Sequence, residues 1–259
     1  MERLIILYSA DGLGHLTAKA LIRKGHQVVL HARNAVRREQ ALKKAPGAQD
    51  VLVADLSSME ETKELASKAN ASGPFDVVIH NAGVYQVDRN SVGAEGLPLL
   101  LTVNSLAPYI LTAMMHKPKR LVYLTSGMHM QGDPVLNNMP VSLDPKMDQK
   151  RGYITYSDTK LHDLILSMSV ARKWADVYAN AVDPGWVATK MGGAGAPDSL
   201  EQGFETQVWL ATSNEPEACV SGCYFHHKRQ ARHLEAAHDV EVQESLLNAF
   251  ERLTGVGFM

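Results

Sequence analysis

The chain has 259 residues, 45% hydrophobic and 21% charged, with 26 basic against 28 acidic side chains and a formal charge of −2. Ordinary glycine and proline usage excludes a collagen-like or low-complexity chain, and the near-neutral balance gives no global support for nucleic-acid binding. The length suffices for a core without staples, as one large α/β domain or two small ones.

The opening residues hold only the short apolar run Leu4-Ile5-Ile6-Leu7, without the pattern of a secretory signal. Apolar stretches near 97–101 and 109–115 are too short to span a membrane, so no transmembrane segment is predicted. Cys219 and Cys223, flanking a predicted strand, are poor material for a disulfide framework. They read as a buried, reduced pair, and the expected location is cytoplasmic.

In chain order, Leu4 to Tyr8 predicts a first strand, followed by Gly12-Leu13-Gly14 and a helix to about Arg23, with Gly25 as its stop. Gln27 to His31 is strand two, and Val36 to Ala45 a charged, mostly solvated helix. Val51 to Ala54 is strand three; Ser57 or Ser58 then caps a helix to about Ala71, with Glu60 and Glu61 in its first turn. Phe75 to His80 is strand four, ending at Asn81-Ala82-Gly83. Pro98 to His116 reads as a long, largely buried helix with a bend at Pro108.

Arg120 to Leu124 is a strand leading to Thr125 and Ser126, and residues 127–155 form a long loop assigned to the substrate. Tyr156 to Trp174 is helical, with Leu161, Leu164, Ile165 and Met168 as its apolar stripe. Val177 to Val182 is a strand ended by Asp183-Pro184-Gly185, residues 190–200 a second substrate loop, Leu200 to Thr212 a helix, and Cys223-Tyr224-Phe225 a final strand. The βα rhythm predicts an α/β fold: a Rossmann-like, doubly wound parallel sheet with helices on both faces, as a single domain over residues 1–259.

Gly12 and Gly14 between strand and helix permit close approach of a phosphate to helix N-terminal amides, although two glycines also serve a simple tight turn. Arg33 follows Ala32, where such folds often place a ribose-binding acid; an arginine there pairs with a ribose phosphate, selecting NADP over NAD, or is merely a solvated charge. Asp55 is placed to meet an adenine edge, and Asn81-Ala82-Gly83 to bring backbone near the adenosine.

These features, in order with Asp55-Leu56, Asn104, Ser126, Tyr156-Ser157-Asp158-Thr159-Lys160 and Pro184-Gly185, resemble the short-chain dehydrogenase/reductase family through nearly the whole chain. The thirty-residue separation of Ser126 and Tyr156 resembles longer-loop, retinol-dehydrogenase-like members, without assigning retinol. One departure is Leu7-Tyr8, where the family has a threonine-glycine pair. It leaves open a cofactor-sensing or protein-binding scaffold without redox activity.

Tyr156 and Lys160 stand four apart on one helix and can face one pocket, as can any surface tyrosine-lysine pair at that spacing. A phenol with a pKa of about 10 is a sluggish acid at neutral pH, and a nearby cation eases its proton transfer. The resemblance implies Tyr156 as acid/base, Lys160 as its cation and ribose holder, Ser126 as holder of the substrate oxygen, and Asn104 in a water-mediated relay to Lys160. Pro184, Gly185 and Thr189 would frame the nicotinamide. The implied activity is NADP-dependent interconversion of a small-molecule carbonyl and its alcohol; a same-fold isomerase or dehydratase is the other enzymatic reading. Met128, Met130, Met139 and Met147 either line an apolar mouth or cover the loop's inner face. His226, His227, His233 and His238 lack a compact ligand frame, so no metal is expected. The helices carrying Asn104 and Tyr156 offer a face for a homodimer, which the long loop would obstruct.

Overall fold

Short apolar runs build the sheet. Strands β1 (Arg3–Leu7), β2 (Gln27–Ala32), β4 (Val77–His80) and β5 (Arg120–Leu124) are buried along almost their whole length, as parallel strands covered on both faces must be. With β3 (Asp50–Val53), β6 (Tyr178–Asp183), β7 (Cys223–His226) and β8 (Arg229–Gln230), they form one sheet of order β3-β2-β1-β4-β5-β6-β7-β8. Among the described strand pairs of this sheet, β7–β8 is the one antiparallel pair. The computed structural model describes residues 1–7, 11–144 and 153–258. The chain winds outward from β1 to β3, then returns across β1 to begin β4. The crevice at the carboxyl ends of β1 and β4 is therefore the place where such a sheet takes ligands.

Helices α1 (Gly12–Arg23), α2 (Ala35–Lys44) and α6 (Leu200–Thr212) cover one face, where Ala18, Leu21, Ala41 and Leu210 join the β-strand side chains in one core. Helix α3 (Met59–Ala71), the helical stretch α4 over residues 99–114, α5 (Tyr156–Lys173) and α7 (Val240–Thr254) cover the other. Ser58 supplies the expected cap of α3, its hydroxyl accepting from the Glu61 N–H at 3.2 Å. The predicted single α/β domain is the observed architecture.

Two sequence expectations are corrected. The irregularity in α4 lies ahead of Pro108, as a π turn over Thr102–Leu106 closed by the Ala107 N–H on the Thr102 carbonyl. Pro108 has no N–H to offer the carbonyl four residues back, so the regular ladder cannot run through Asn104. The cysteines are reduced but only half-buried, not buried as a pair; Cys223 lies in the final predicted strand, as expected. The outer faces of α4 and α5 are covered by α7 and the residues after it. Phe250 packs edge-on to Tyr109 at 5.3 Å and to His162 at 5.6 Å, and the Tyr109 hydroxyl donates to the Val256 carbonyl at 2.7 Å. A homodimer through that face would have to displace the carboxyl-terminal helix.

Besides His129, whose pKa burial also lowers, three histidines are buried in this framework. Burial holds His31 at a pKa of about 4, His80 at about 3 and His162 at about 4, so all three are neutral in the native state. Unfolding restores their ordinary affinity for protons, and stability is lost as pH falls from about 6.5 toward 4. Asp163, pushed up to about 6, offsets one of these three protons. The thermal midpoint should thus decline with net proton uptake on unfolding below pH about 6.5. A midpoint that is flat or rises on acidification through that window contradicts this account.

Candidate active site

Two connected cavities open at the carboxyl ends of the strands. The smaller, about 160 Å³, runs from Gly12 and Leu13 past Asn81 and Gly83 to Tyr156 and Lys160, with Pro184 and Thr189 opposite. The larger, about 620 Å³, is lined by Tyr85, Ser126, Met128, Trp186 and His226. Leu13, Thr125, Tyr156, Pro184, Thr189 and Met191 wall both, so Tyr156 stands at their junction.

At the first end, Gly12 has φ +58°, and a Cβ added to it would lie 3.7 Å from the Thr189 methyl. A side chain there would be strained and would narrow the cleft. Gly14 is buried within α1. Gly83 is similarly placed at the far end: an added Cβ would sit 3.6 Å from Asn104 Oδ1 and 3.7 Å from Lys160 Nζ. Ala82 and Leu56 are core residues, and Asp55 uses Oδ1 to accept from the Ser57 N–H at 3.0 Å and hydroxyl at 2.8 Å. Arg33 is exposed just after β2 and lines neither cavity. Leu7 ends β1 in the core, whereas Tyr8 and Met147 lie outside the described residues.

A carboxylate missed in the sequence organises this end. Asp11 precedes α1 and accepts from Arg37 and Lys44 of α2, and from Lys190 at 2.9 Å. Burial alone would raise its pKa; hydrogen bonds from the three cations outweigh that and hold the carboxyl well below its usual range. Only the fold brings Lys190 next to a residue 179 positions earlier in the chain.

At the other end, α5 begins with a capping box in which Thr155 and Asp158 satisfy each other's backbone N–H groups. Tyr156 follows immediately and is held edge-on against Tyr85, with ring centres 4.6 Å apart. Burial raises its pKa, Lys160 lowers it, and Asp163, Tyr85 and Asp183 push it up again, leaving the phenol above its ordinary value. Lys160 is almost wholly buried, its ammonium donating to the Leu124 carbonyl and to Asp163 Oδ2, both at 2.8 Å. Asn104 clamps the segment after β4: Oδ1 accepts from the Val84 N–H at 2.8 Å, while Nδ2 donates to the Val84 carbonyl at 2.9 Å and to Thr159 at 3.1 Å. Ser126 follows β5 by two residues and caps a single helical turn, Gly127–Gln131, accepting from the Met128 N–H at 3.3 Å. Thr125 instead turns inward and donates to the Lys160 carbonyl at 2.7 Å.

Both predicted substrate loops flank the larger cavity. Met128 reaches its wall, Met139 is buried in the core and Met130 is largely exposed. Residues 186–198 are drawn together by Trp186 Nε1 donating to the Gly192 carbonyl at 2.8 Å and the Trp186 N–H donating to Asp198 at 2.6 Å. Gly185, at φ +81°, needs the absence of a side chain, because a Cβ would fall 2.7 Å from Asp198 Oδ2. His226 lines the cavity beside Asp183, whose Oδ2 accepts from the Tyr224 hydroxyl at 3.1 Å. Among the described residues no group of three or more histidine, cysteine or carboxylate side chains could hold a metal ion, and no helix is long and apolar enough to cross a membrane.

Likeness to known proteins follows the same lines. A family profile described as enoyl-(acyl carrier protein) reductase matches residues 8–238. The chain is 39% identical over 258 residues to the short-chain dehydrogenase chry4 of Gibberella zeae, covering 99% of this chain and 98% of the relative. It is 41% identical to an uncharacterized oxidoreductase of Emericella nidulans over 262 residues, with 99% and 98% covered. A crystal structure of an uncharacterized Mycobacterium paratuberculosis protein superposes with a TM-score of 0.80 at 21% identity, covering all of this chain and 95% of that one. The Pseudomonas aeruginosa RhlG/NADP active-site complex superposes with a TM-score of 0.66 at 17% identity, covering 86% and 94%. The chain belongs to the short-chain dehydrogenase/reductase family of oxidoreductases. The likeness runs along the whole chain and does not single out a retinol-dehydrogenase-like subgroup.

The position of Ser126 depends on how the loop behind it docks on α5. The Asp133 N–H donates to Asp158 Oδ1 at 2.9 Å, and a Cβ at Gly132 would lie 2.7 Å from Leu161 Cβ and 2.8 Å from the Ser157 carbonyl. Gly132→Ala should destabilise the fold by about 1–3 kcal/mol, as overpacking does. Urea denaturation measures this, and an unchanged midpoint would show that the docking is looser than the distances state.

Proposed function

We propose that the chain is an NADP-dependent oxidoreductase that interconverts a small organic carbonyl compound and its alcohol. The observation that carries this reading is the convergence of Ser126, Tyr156 and Lys160 where the glycine-lined cleft meets the larger cavity. The cleft suits a dinucleotide: Gly12 and Gly83 leave it open where side chains would intrude, and its far end holds a lysine ammonium. Gly12, Leu13 and Gly14 would meet the pyrophosphate; Asp55, Leu56, Asn81 and Ala82 the adenosine; and Pro184, Gly185 and Thr189 the nicotinamide. NADP-bound relatives such as the RhlG complex support the choice of cofactor, as does Arg33, an exposed guanidinium at the end of β2 suited to a ribose phosphate.

The reduced cofactor, when bound, supplies hydride. The residues do the rest. Ser126 donates a hydrogen bond to the carbonyl oxygen and stabilises the charge that develops there. Tyr156 delivers its phenolic proton to that oxygen, and in the reverse direction takes it back. Two N–H groups of Lys160 are held by Leu124 and Asp163, leaving the third for the cleft, where it supports phenolate formation and holds a ribose hydroxyl. Asn104 keeps the segment after β4 in place beside them, from where its Oδ1 can also anchor a relay water. Tyr85, Met128, Trp186 and Met191 favour a substrate with an apolar, flat body. The thirty-residue separation of Ser126 and Tyr156 supports a likeness to longer-loop members, without a retinoid substrate. The reduced cysteines fit a cytoplasmic setting, and any homodimer would use a surface other than the outer faces of α4 and α5.

NADPH should therefore bind more tightly than NADH, with the preference reduced about tenfold or more in Arg33→Ala, the scale of a lost charge-assisted contact. Tyr156→Phe should keep cofactor binding and lower carbonyl-dependent NADPH oxidation by about 10²-fold or more. Fluorescence titration and a carbonyl panel read both. Folded protein that binds neither cofactor overturns the reading in favour of a scaffold, and undiminished turnover in Tyr156→Phe removes the acid role.

A further inference from the structure

Asp163 lies one turn beyond Lys160 on α5, and both side chains are only 4% exposed. Among the described residues its sole hydrogen-bond partner is the Lys160 ammonium, at 2.8 Å. A carboxylate in the core needs a strong reason to be there, because desolvation penalises it unless it is paired. The pairing works in both directions. Burial by itself would strip the proton from Lys160, and its attraction to Asp163 and Tyr156 holds its pKa above the ordinary lysine value. The Leu124 carbonyl fixes the same ammonium from β5, also at 2.8 Å.

We propose that Asp163 is a positioning residue for the reaction: it fixes the buried Lys160 ammonium between α5 and the end of β5 and keeps it protonated across the working pH range. The other titratable groups around the pair come from every packed element. Tyr156 lies on the same helix, where His162 points away to Ser105 and Phe250. Tyr123 faces Asp163 from β5, with His80 of β4 stacked behind it. Tyr85 and Asp183, from the segments after β4 and at the end of β6, act on Tyr156. From α4 the neighbour is the uncharged Asn104. Among the described residues Asp163 is thus the one anion paired with the ammonium, and removing its charge leaves a buried cation without its counterion.

The consequence for carbonyl reduction has one sign. Without Asp163 the ammonium loses its proton at lower pH; where it keeps the proton, its unscreened charge makes Tyr156 ionise at lower pH. Either way the alkaline limb of reduction moves down. This activity readout rests on the proposed reductase reading, so a second readout is independent of it: the pH titration of the Lys160 side chain in protein labelled with ¹³C at lysine Cε, assigned by the resonance lost in Lys160→Arg. In Asp163→Asn, which keeps the shape and an acceptor oxygen, the Lys160 titration should fall by at least about one pH unit. The alkaline limb of NADPH-dependent reduction should fall with it. Asp163→Glu should restore both toward wild type even if turnover is lower. Asp163→Ser serves as the neutral variant if Asp163→Asn does not fold. A Lys160 titration unchanged in the neutral variant overturns the proposal, whatever the activity. An absence of redox activity in the wild type, with the titration shifted as expected, overturns the reductase reading alone.

Discussion

The helix that carries Tyr156 and Lys160 is buried on nearly every side, and most of the architecture follows from what such a helix requires. From Ser157 to Val170 every residue is shielded from solvent, although the run includes Asp158, Lys160, His162 and Asp163. Each of these groups needs a partner from another element or a near neighbour in the helix. Asp158 receives the N–H of Thr155 and, from the loop, that of Asp133. Lys160 takes the last carbonyl of β5 and Asp163; His162 meets Ser105 at 3.1 Å. Satisfying the helix therefore fixes β5, α4 and the loop after Ser126 around it. These are the same segments that supply the candidate catalytic groups, so rigidity of the site and satisfaction of the core are one arrangement.

That dependence explains what could be read from the chain and what could not. The first seven strands and the first six helices announce themselves through β-branched runs, turn residues and caps, because local sequence supplies their signals, whereas the two-residue β8 carries none. Residues at strand ends, from Gly12 to Pro184, stand in an order that resembles a family, and the fold gathers most of them along one cleft. Asp163 gave no such signal. Three residues beyond a lysine on a helix, a carboxylate reads as an ordinary surface pair, and only its burial makes it unusual. Asp11 was equally silent, since two of its partners come from α2 and the third from far along the chain. Tertiary convergence is the missing information in both cases.

The apolar stripe of α5 likewise understated its environment. Leu161, Leu164, Ile165 and Met168 mark one buried face, yet the opposite side is closed by α7, whose Leu246, Leu247 and Phe250 are themselves buried. A helix apolar on one face normally leaves the other to solvent. Here the polar face is covered too, which obliges it to carry small hydroxyls and internally bonded groups such as Ser169, which donates to the Ile165 carbonyl at 2.7 Å. Phe258 stacking on Trp174 at 5.4 Å extends the cover to the end of the described chain. The surface removed from solvent in this way is the one that the sequence offered for pairing with a second copy.

Charge is handled at the two ends of the cleft by opposite means. At Lys160 a single, almost wholly buried cation is held by one carboxylate and one carbonyl, so its charge is fixed in place at the edge of the cleft. At Asp11 three cations surround one carboxylate on the rim, where water screens them and the local sum is positive. A phosphate-bearing group arriving at the Gly12 turn would meet cations already gathered and would compete with Asp11 for them. Affinity there would be the difference between two ionic arrangements, not the full strength of either. For a chain of near-zero net charge, this division sets a responsive electrostatic site at the cofactor's proposed entrance and an unresponsive one beside the proposed chemistry.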